Sequence, residues 1–414
     1  MLDIGPIHRR EYEVESGRSM GEIRPKRALK RNSRPPPPRN QAVKAANPII
    51  IAQAPGRIHF LGEHGAPFGG LYLSAAIDRW IKVAVSPRRD NSLRFFAPDL
   101  SERKRTTLAN LKYKREDRWA NYIKAAIFIF AGIGIPMKGM NFTVLGNIPP
   151  QIGLASSSAI EVAAAVALRG FLKLKMNDQE LVRRLAESHL AFFEEPPSLA
   201  DYLIGLLARN NQFLIVDEPN MAVTKIKSPF SRCKFIIMDS RVPRLGVETE
   251  LNARREDLKA ALEMLSQGGD RANFRELAAL DLMNSMGNLP EEIRRRSLHV
   301  VQEIRRVLDA EDYLVRADLA GFSRLIFHSH ESLRDLYEVS CPETDWMVKR
   351  AQETIGVLGA RMTGQGFGGC TYTIIKNEAV SGYRERIEDY ERIFGFHPGI
   401  YEVKLATGGR VVTK

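Results

Sequence analysis

Residues 146–159 read GNIPPQIGLASSSA and lead into an apolar run with helical periodicity. A strand before this stretch, a turn of glycine and small hydroxyl residues, and a helix after it are typical of a phosphate-binding loop, because the first N–H groups of a helix lack partners and lie at the positive end of its dipole. Serine hydroxyls there can also bind Mg²⁺. The structural alternative is that Ser156, Ser157 or Ser158 only caps the helix. No Gly-Lys-Ser/Thr follows, so this is not a Walker A loop.

A second glycine-rich segment lies near the C-terminus. Residues 360–371 read ARMTGQGFGGCT, with four glycines in six positions. Glycines this dense permit backbone conformations and close approaches that a Cβ would block. By itself, the segment is either a tight structural turn or a loop moulded around a ligand.

A third glycine-centred segment precedes the other two, and residues 54–70 read APGRIHFLGEHGAPFGG. Its apolar residues indicate strands, and Arg57, Glu63 and His64 add charged or polar groups between them. A lone histidine is more often structural than functional. With Arg57 and Glu63 beside it, His64 indicates a site that binds a polar ligand.

The rest of the chain has a mixed pattern. Short β-branched runs predict strands at 49–52, 81–85, 140–144, 213–216, 234–239, 369–375 and 399–404. Helical periodicity predicts helices at 119–130, 158–172, 179–193, 247–265, 294–308, 343–353 and 379–393. Strands dominate the first half and helices the middle, which favours an α+β architecture with two lobes.

Composition excludes several classes of protein. The chain has 414 residues, 44% hydrophobic and 27% charged, enough for two sizeable cores. Its three cysteines are far apart, which indicates neither a disulfide framework nor a zinc site. There is no apolar run of the roughly 18 to 20 residues needed to cross a bilayer and no secretory signal, so we expect a cytoplasmic protein without a membrane partner.

The net charge of +12 is concentrated near the N-terminus. Nine basic residues and one acidic residue between Arg18 and Lys44 carry +8 of it, beside four consecutive prolines. Such a segment cannot bury enough apolar surface to order itself, so residues 1–46 are predicted to be a disordered basic, proline-rich tail. The tail could contact nucleic acid or anionic lipid without base specificity, or it could be dispensable. No specific nucleic-acid partner is expected, and a monomer is compatible with the sequence, which does not fix the oligomeric state.

Taken together and in order, the three glycine-centred segments resemble the motifs of the GHMP small-molecule kinases, and they are most similar to those of the galactokinases. Residues 55–64 resemble the sugar motif, residues 153–158 the phosphate loop and residues 361–371 the third motif. Residues 329–343, SHESLRDLYEVSCPE, resemble a galactokinase helix and loop. The resemblance runs from about residue 48 to the end of the chain.

The resemblance implies a two-lobed GHMP kinase fold with the active site between the lobes. A ribosomal protein S5 domain 2-like N-terminal domain is expected at 47–228 and a ferredoxin-like C-terminal domain at 229–414. ATP and Mg²⁺ are the implied cofactors, with Ser156 as the metal ligand. The implied ATP-binding residues are Gly153, Leu154, Ser156, Ser157, Ser158, Gly364 and Gly366.

The catalytic base follows from the same resemblance. Galactokinases have an aspartate sixteen residues before a second aspartate that ends a strand, and Asp201 and Asp217 have that spacing. A carboxylate beside an arginine stays ionised at pH 7 and can accept or steer the proton of an attacking hydroxyl. Asp201 and Arg57 are therefore the predicted catalytic residues, and Glu63, His64 and Asp201 are predicted to bind the substrate.

Several family positions are changed in this chain. An aspartate that binds sugar hydroxyls corresponds to Ala66, a tyrosine of the sugar site to Leu251, and a glycine near the catalytic aspartate to Ser198. The Mg²⁺-binding glutamate expected about twelve residues before Asp201 falls on His189, with Glu187 and Glu194 nearby, which leaves that ligand unassigned.

Three functions therefore compete. The first is an ATP-dependent kinase that phosphorylates a sugar, in the family geometry at its anomeric hydroxyl. The second keeps this chemistry but acts on a uronic acid, an amino sugar, a heptose or a cyclitol. The third is a ligand sensor that binds ATP and sugar without turnover. Because Arg57 and Asp201 are both present, an enzyme is favoured over a sensor.

Overall fold

The computed structural model describes residues 49–244, 246–265, 273–278 and 286–413. The predicted tail at 1–46 lies outside these residues. The strands, in chain order, are β1 (Ile50–Leu61), β2 (Tyr72–Pro87), β3 (Ser92–Ala97), β4 (Glu102–Thr107), β5 (Met140–Gly146), β6 (Gln212–Asp217), β7 (Ala222–Lys227), β8 (Cys233–Asp239), β9 (Val357–Thr363), β10 (Cys370–Lys376), β11 (Gly399–Val403) and β12 (Arg410–Val411).

Eleven α-helices lie within the described ranges. They are α1 (Ala120–Gly132), α2 (Ser156–Phe171), α3 (Asp178–Phe193), α4 (Leu199–Leu207), α5 (Val247–Leu265), α6 (Phe274–Ala278), α7 (Glu291–Val315), α8 (Leu319–Asp335), α9 (Pro342–Gln352), α10 (Val380–Ile387) and α11 (Asp389–Phe394). None of the helices in these ranges has the length and apolarity to span a membrane.

The strands form two sheets. The first has eight strands in the order β12-β1-β2-β5-β3-β4, with β6 pairing with both β2 and β7. Its pairs are antiparallel except for the parallel pair of β3 and β5. The second sheet has four antiparallel strands in the order β11-β8-β10-β9. Mixed helices and sheets of this kind confirm the predicted α+β class.

Helix α2 is the central helix of the first sheet. Every residue from Ala159 to Leu168 is buried, so the helix packs on β1 and β2 on one side and against α1 and α4 on others. A helix that is apolar on all sides belongs in a core. Its first turn is therefore held firmly at the edge of the sheet, beside β1.

One hydrophobic core includes residues of both sheets. Phe60 of β1 contacts Phe213 of β6 at 4.9 Å between ring centroids and Tyr372 of β10 at 4.7 Å. A second core lies under α5 and α7 and includes Phe68, Leu258 and Val300. Because one core joins the sheets, strands β1 and β9 meet with fixed geometry. The domain boundary expected at residue 228 stays a prediction.

The predicted elements are present, with two informative differences. The strand predicted at 49–52 continues to Leu61, so the segment with Arg57 and His59 is itself part of β1, bent by register shifts at Pro55/Gly56 and His59/Leu61. The helix predicted at 379–393 is two helices that meet at Glu388. The bends in β1 direct its C-terminal half towards α4.

Candidate functional site

Arg57 and Asp201 form an ion pair at the centre of the predicted site. Arg57 Nε donates to Asp201 Oδ1 at 2.6 Å, and Arg57 Nη2 lies 3.5 Å from Asp201 Oδ2. The two side chains are only 12% and 8% exposed. Arg57 also donates to the carbonyl oxygen of Gly153. Burial opposes the charge of Arg57, but the Asp201 carboxylate outweighs this effect and raises the arginine pKa, so Arg57 is a permanent cation.

The local sequence positions Asp201 in the first turn of α4. Ser198 is the N-cap residue, and its side chain accepts from the Asp201 N–H at 3.3 Å. Glu218, which follows β6, accepts from the Ala200 N–H at 2.6 Å. The positive end of the helix dipole also stabilises a carboxylate at this position. Ser198, a changed family position, therefore has a helix-capping role.

The phosphate loop has the predicted shape, and its serines do not cap α2. The N-cap residue is Ala155, in the left-handed conformation with φ of 60°, and no side chain caps the helix. Ser158 instead donates to Asp201 Oδ2 at 3.1 Å. The capping alternative is therefore wrong, and Ser158 connects the loop to the predicted base.

The C-terminal glycine segment packs against the phosphate loop. A Cβ on Gly364 would lie 3.2 Å from the Gly153 Cα, and a Cβ on Gly153 would lie 3.3 Å from the Gly364 Cα. Both glycines have φ near +90°. A Cβ on Gly366 would lie 2.4 Å from the carbonyl oxygen of Val339, so this glycine permits close packing on the segment after α8. The two glycine motifs thus meet backbone to backbone.

A buried ion network around Arg361 holds the sugar motif in place. Arg361, which is 0% exposed, pairs with Glu63 and lies 3.3 Å from Glu303. Glu303 accepts from the Gly62 N–H at 2.9 Å and from Ser329 at 2.8 Å. Burial disfavours the charge of Glu303, but Arg361 and then Arg306 outweigh it and lower its pKa to about 2. This network connects β1, β9, α7 and α8.

Both oxygens of Glu63 are engaged within the protein. One pairs with Arg361, and the other accepts from the Gly364 N–H and lies 3.3 Å from the Thr363 hydroxyl. Thr363 also donates to the carbonyl oxygen of His59 at 3.0 Å. Glu63 therefore joins the sugar motif to the third motif.

His64 lies on the other side of this turn. Its φ is 66°, and its ring contacts Tyr337 at 4.7 Å between centroids. The Nε2 atom is buried and has no hydrogen-bond partner among the described residues. Burial, followed by the neighbouring His299, lowers the His64 pKa well below 6.5, so the ring is neutral. A buried nitrogen without a partner fits a ligand hydroxyl.

Ala66 and Leu251, which stand where the family has sugar-binding residues, have apolar side chains. Ala66 is 2% exposed, in a short 3₁₀ turn after His64. Leu251 is also 2% exposed and packs in the second core. The next arginine, Arg254, donates to the carbonyl oxygens of Tyr337 and Glu338.

His189, the position on which the expected metal carboxylate falls, lies in a hydrogen-bonded cluster with two buried residues, Glu161 and Tyr202. His189 Nδ1 lies 2.8 Å from Glu161, whose other oxygen accepts from Tyr202. Within the described ranges, no three His, Cys, Asp or Glu side chains are placed to hold a metal by themselves. Mg²⁺ commonly takes most of its ligands from phosphates and water, so the serine hydroxyls of the loop fit an ion that arrives with a nucleotide.

Sequence reasoning predicted Arg57, Asp201 and the loop but missed three buried residues. Of these, Arg361 and Glu303 hold the turn at Gly62 and Glu63, and His59 lies beside Asp201. Arg361 and Glu303 are buried charges, and His59 Nε2 lies 3.6 Å from Asp201 Oδ1. Glu303 could have been noticed because it interrupts the apolar face formed on α7 by Val300, Ile304 and Val307. His59 gave no comparable signal, since its partner is distant in sequence.

Family models match three parts of the chain. The GHMP kinases N terminal domain matches residues 121–208, the GHMP kinases C terminal domain matches 310–389, and the galactokinase galactose-binding signature matches 40–87. The first two define a GHMP kinase, a class that uses ATP, generally with Mg²⁺.

Relatives with known names narrow the class. The chain is 38% identical to a putative galactokinase of Treponema pallidum (strain Nichols), covering 88% of this chain and 93% of that protein. It is 33% identical to a galactokinase of Roseiflexus sp. (strain RS-1), covering 88% and 94%. The chain therefore belongs to the galactokinase family of the GHMP kinases. It is a sugar kinase, a phosphotransferase with an alcohol group as acceptor.

Solved structures agree with this family. The structure of Lactococcus lactis galactokinase complexed with galactose has a TM-score of 0.80 and 27% identity, covering 87% of this chain and 94% of that one. The mevalonate kinase of Methanococcus jannaschii has a TM-score of 0.63 at 20% identity, covering 87% and 99%. The second likeness shows the shared GHMP kinase fold.

Proposed function

We propose that the chain transfers the terminal phosphoryl group of ATP to the anomeric hydroxyl of galactose, or of a sugar with similar hydroxyls, and so forms a sugar 1-phosphate. The observation that carries this proposal is the ion pair of Arg57 and Asp201 at 2.6 Å, tied to the phosphate loop through Gly153 and Ser158. The galactose-binding signature at 40–87 and the likeness to a galactokinase complexed with galactose support galactose.

Two residues carry the transfer chemistry in this proposal. Asp201 accepts or steers the proton of the acceptor hydroxyl, because its charged partner Arg57 favours the ionised carboxylate. Arg57 compensates negative charge as the phosphoryl group moves. Phosphoryl transfer depends mainly on positioning and electrostatics, so an Asp, an Arg, Mg²⁺ and a rigid phosphate loop would suffice.

The nucleotide side consists of the two glycine motifs. When bound, ATP supplies the phosphoryl group, and Mg²⁺ neutralises charge on its phosphates. The N–H groups at the start of α2 would hold the phosphates, and the proposed Mg²⁺ ligand is Ser156. The proposed ATP-binding residues are Gly153, Leu154, Ser156, Ser157, Ser158, Gly364 and Gly366.

The acceptor side consists of Glu63, His64 and Asp201. The partnerless Nε2 of His64 can bind a sugar hydroxyl. The oxygens of Glu63 already accept from Arg361 and Gly364, so a sugar hydroxyl would share them, which the two lone pairs of each oxygen allow. Glu63 therefore both holds the turn and faces the acceptor.

One observation favours a second acceptor class with the same chemistry. Ala66 and Leu251 offer no hydrogen bond to a sugar hydroxyl, whereas Arg255, which pairs with Glu248 and is 41% exposed, contributes positive charge that helps to lower the His64 pKa. An arginine near the acceptor side would favour a hexuronic acid, whose carboxylate it can bind in a bidentate manner. Galacturonic acid is therefore the second candidate.

The test measures ADP release and ³¹P NMR of the product with a panel of acceptors that includes galactose, glucose, galacturonic acid, an amino sugar, a heptose and a cyclitol. We expect galactose to be phosphorylated at its anomeric oxygen. The matched control is 1,5-anhydrogalactitol, which lacks that hydroxyl and should compete with galactose without being phosphorylated. Phosphorylation of the anhydro sugar would contradict transfer to the anomeric hydroxyl. Phosphorylation of another acceptor without phosphorylation of galactose would contradict the assignment to galactose.

A further inference from the structure

His59 lies beside the predicted catalytic base in a way the sequence did not indicate. It follows Arg57 by two residues on β1, so both side chains leave the same face of the strand. Its Nε2 lies 3.6 Å from Asp201 Oδ1, the oxygen that Arg57 Nε binds. The side chain is only 4% exposed. Two nitrogens from one strand, Arg57 Nε and His59 Nε2, therefore face one carboxylate oxygen.

The other edge of the His59 ring is fixed by the neighbouring strand. Ser74 lies directly opposite His59 in the register of β1 and β2, and its Oγ is 2.6 Å from His59 Nδ1. Tyr72, also on β2, stacks on the imidazole with 4.4 Å between ring centroids and 22° between planes. Ser74 is 0% exposed. The ring therefore has no freedom to turn away from Asp201.

The charge state of the ring follows from its surroundings. Burial, followed by Arg57, Arg361 and His64, lowers the His59 pKa well below 6.5. The groups that face it are these three, the carboxylate of Asp201 and the phenol of Tyr72. A neutral imidazole has one N–H and one lone pair. His59 can therefore direct either a proton or a lone pair at Asp201.

Electrostatics selects the tautomer. A lone pair on Nε2 would face the negative Oδ1 and repel it, whereas an Nε2–H would be attracted to it. With the proton on Nε2, Nδ1 must be the acceptor, and Ser74 Oγ–H the donor. The buried Ser74 hydroxyl can rotate to donate. The result is a chain of donors from Ser74 through His59 to Asp201.

We propose that His59 is a positioning residue for phosphoryl transfer, whose Nε2–H, fixed by Ser74, orients the Asp201 carboxylate. This inference rests on the proposed function, because it needs Asp201 as the base. The distance of 3.6 Å is longer than a hydrogen bond, but catalytic hydrogen bonds often tighten only when substrate binds. Arg57 Nε and His59 Nε2 face Oδ1, whereas Oδ2 accepts from Ser158 at 3.1 Å and lies 3.5 Å from Arg57 Nη2. The Asp201 carboxylate accepts the proton of the acceptor hydroxyl as the hydroxyl oxygen bonds to phosphorus and ADP leaves.

The tautomer can be read directly in the wild-type protein. The chain has eight histidines, so ¹⁵N-histidine labelling and long-range ¹H–¹⁵N correlation spectra give few signals, and those of His59 are identified by their absence in His59→Gln. We expect a neutral Nε2–H tautomer that does not change between pH 6 and pH 9. An Nδ1–H tautomer, or protonation in that range, would overturn the proposal.

Kinetics test the positioning role with a matched pair of variants. His59→Phe keeps a ring to stack on Tyr72 but removes the donor, whereas His59→Gln places an amide N–H near the position of Nε2. Loss of a hydrogen bond to a charged group lowers a rate by roughly 10- to 100-fold. We therefore expect His59→Phe to lower kcat by this factor, while the KM values for ATP and for the sugar stay within about threefold of those of the wild type. His59→Gln should recover most of kcat. Equal activity of the two variants, or a loss confined to KM, would contradict the role.

Ser74→Ala tests the other end of the chain of donors. Alone, it should lower kcat about fivefold, since the ring loses the partner that sets its tautomer. Combined with His59→Phe, it should cause no further loss, because both changes remove the same donor. Additive losses would contradict the coupling. Failure of the proposed function is distinct, because the wild type itself would then phosphorylate no sugar, while the NMR measurement would still report the tautomer.

Discussion

Two regions of the site differ in how completely they are hydrogen-bonded. In the transfer centre, defined as Arg57, Gly153, Ser158 and Asp201, the polar groups bind one another between β1, α2 and α4. On the acceptor side, the Nε2 atom of His64 is buried and lacks a partner among the described residues, and the changed family positions Ala66 and Leu251 have apolar side chains. We therefore predict that substitutions in the transfer centre lower kcat, whereas substitution of His64 weakens binding of the sugar.

The largest effect is expected from Asp201→Asn in the transfer centre. General-base catalysis contributes roughly 10²- to 10⁴-fold, so kcat should fall by roughly 10³-fold. The amide can still accept from Arg57, so the KM for ATP should stay within about threefold. Steady-state kinetics and calorimetric binding of a non-hydrolysable ATP analogue measure the two quantities.

A surface carboxylate provides the control for this variant. Asp178→Asn removes a charge at the start of α3 that pairs with Arg169 and has no hydrogen bond or ion pair with the transfer centre among the described residues, so it should leave kcat unchanged. An Asp201→Asn enzyme with more than about a third of wild-type activity would show that Asp201 is not the base.

The second effect concerns the buried network that holds the turn before His64. The pKa of Glu303 is about 2 in the folded protein, against an ordinary value of 4.5, so its ionisation stabilises the fold above pH 4.5 and this stabilisation is lost as pH falls towards 2. The shift corresponds to about 3 kcal/mol at most at neutral pH. Glu303→Gln should lack this pH-dependent contribution.

The measurement is urea unfolding of the wild type and Glu303→Gln from pH 6 to pH 3.5. As pH falls from 6 to 3.5, we expect the free energy of unfolding of the wild type to fall by about 1 kcal/mol relative to that of Glu303→Gln. The reason is that Glu303 takes up a proton in the unfolded chain while it stays ionised in the folded protein. A difference between the two proteins that is constant with pH would mean that Glu303 has the same pKa in the folded and unfolded protein, and a difference that widens as pH falls would mean that its pKa is raised in the folded protein.

Much of the fold and of the transfer centre could be predicted from the sequence, because their signals are local. The predicted phosphate loop is a strand, a glycine turn and a helix start within one short segment, whereas Asp201 was predicted from the resemblance to galactokinases, which share its spacing to Asp217. The apolar periodicity predicted the start of α5 at Val247, and the helix is described from there to Leu265. Local patterns of this kind depend on neighbouring residues only.

The remaining features depend on contacts between distant residues. Arg361 meets Glu63 across about three hundred residues, and His59 meets Asp201 across more than one hundred and forty. The periodicity of a sequence does not indicate contacts between such distant residues. The buried network around Arg361 and the place of His59 beside Asp201 therefore could be seen only in the structure. The position of Gly364 against Gly153 is also of this kind.

The third effect tests the contact between the two glycine motifs. Gly364→Ala adds a Cβ 3.2 Å from the Gly153 Cα at a φ of +90°, so the third motif must move away from the phosphate loop. Displacements near a reacting group are costly, and we expect the KM for ATP to rise about tenfold. Steady-state kinetics with varied ATP measures this change.

Gly395→Ala is the matched control, since its φ is +76° and a Cβ there would meet nothing within 4 Å. Both variants should lower the melting temperature slightly through backbone strain, but only Gly364→Ala should change the KM for ATP. An equal change in both kinetic profiles would show that strain, and not the contact between motifs, is responsible.

The smallest effect is expected on the acceptor side, from His64→Phe. Phenylalanine can keep the ring contact with Tyr337 but offers no nitrogen to a sugar hydroxyl. One neutral hydrogen bond is worth about 1 kcal/mol, so the KM for the sugar should rise about fivefold while kcat and the KM for ATP stay within about twofold. The matched control is His397→Phe, which changes an exposed histidine paired with Glu391 and should alter neither constant. A rise in the sugar KM alone would support the prediction that His64 binds the sugar without taking part in phosphoryl transfer. A loss of kcat as large as that of Asp201→Asn would contradict it, because His64 would then act in the transition state.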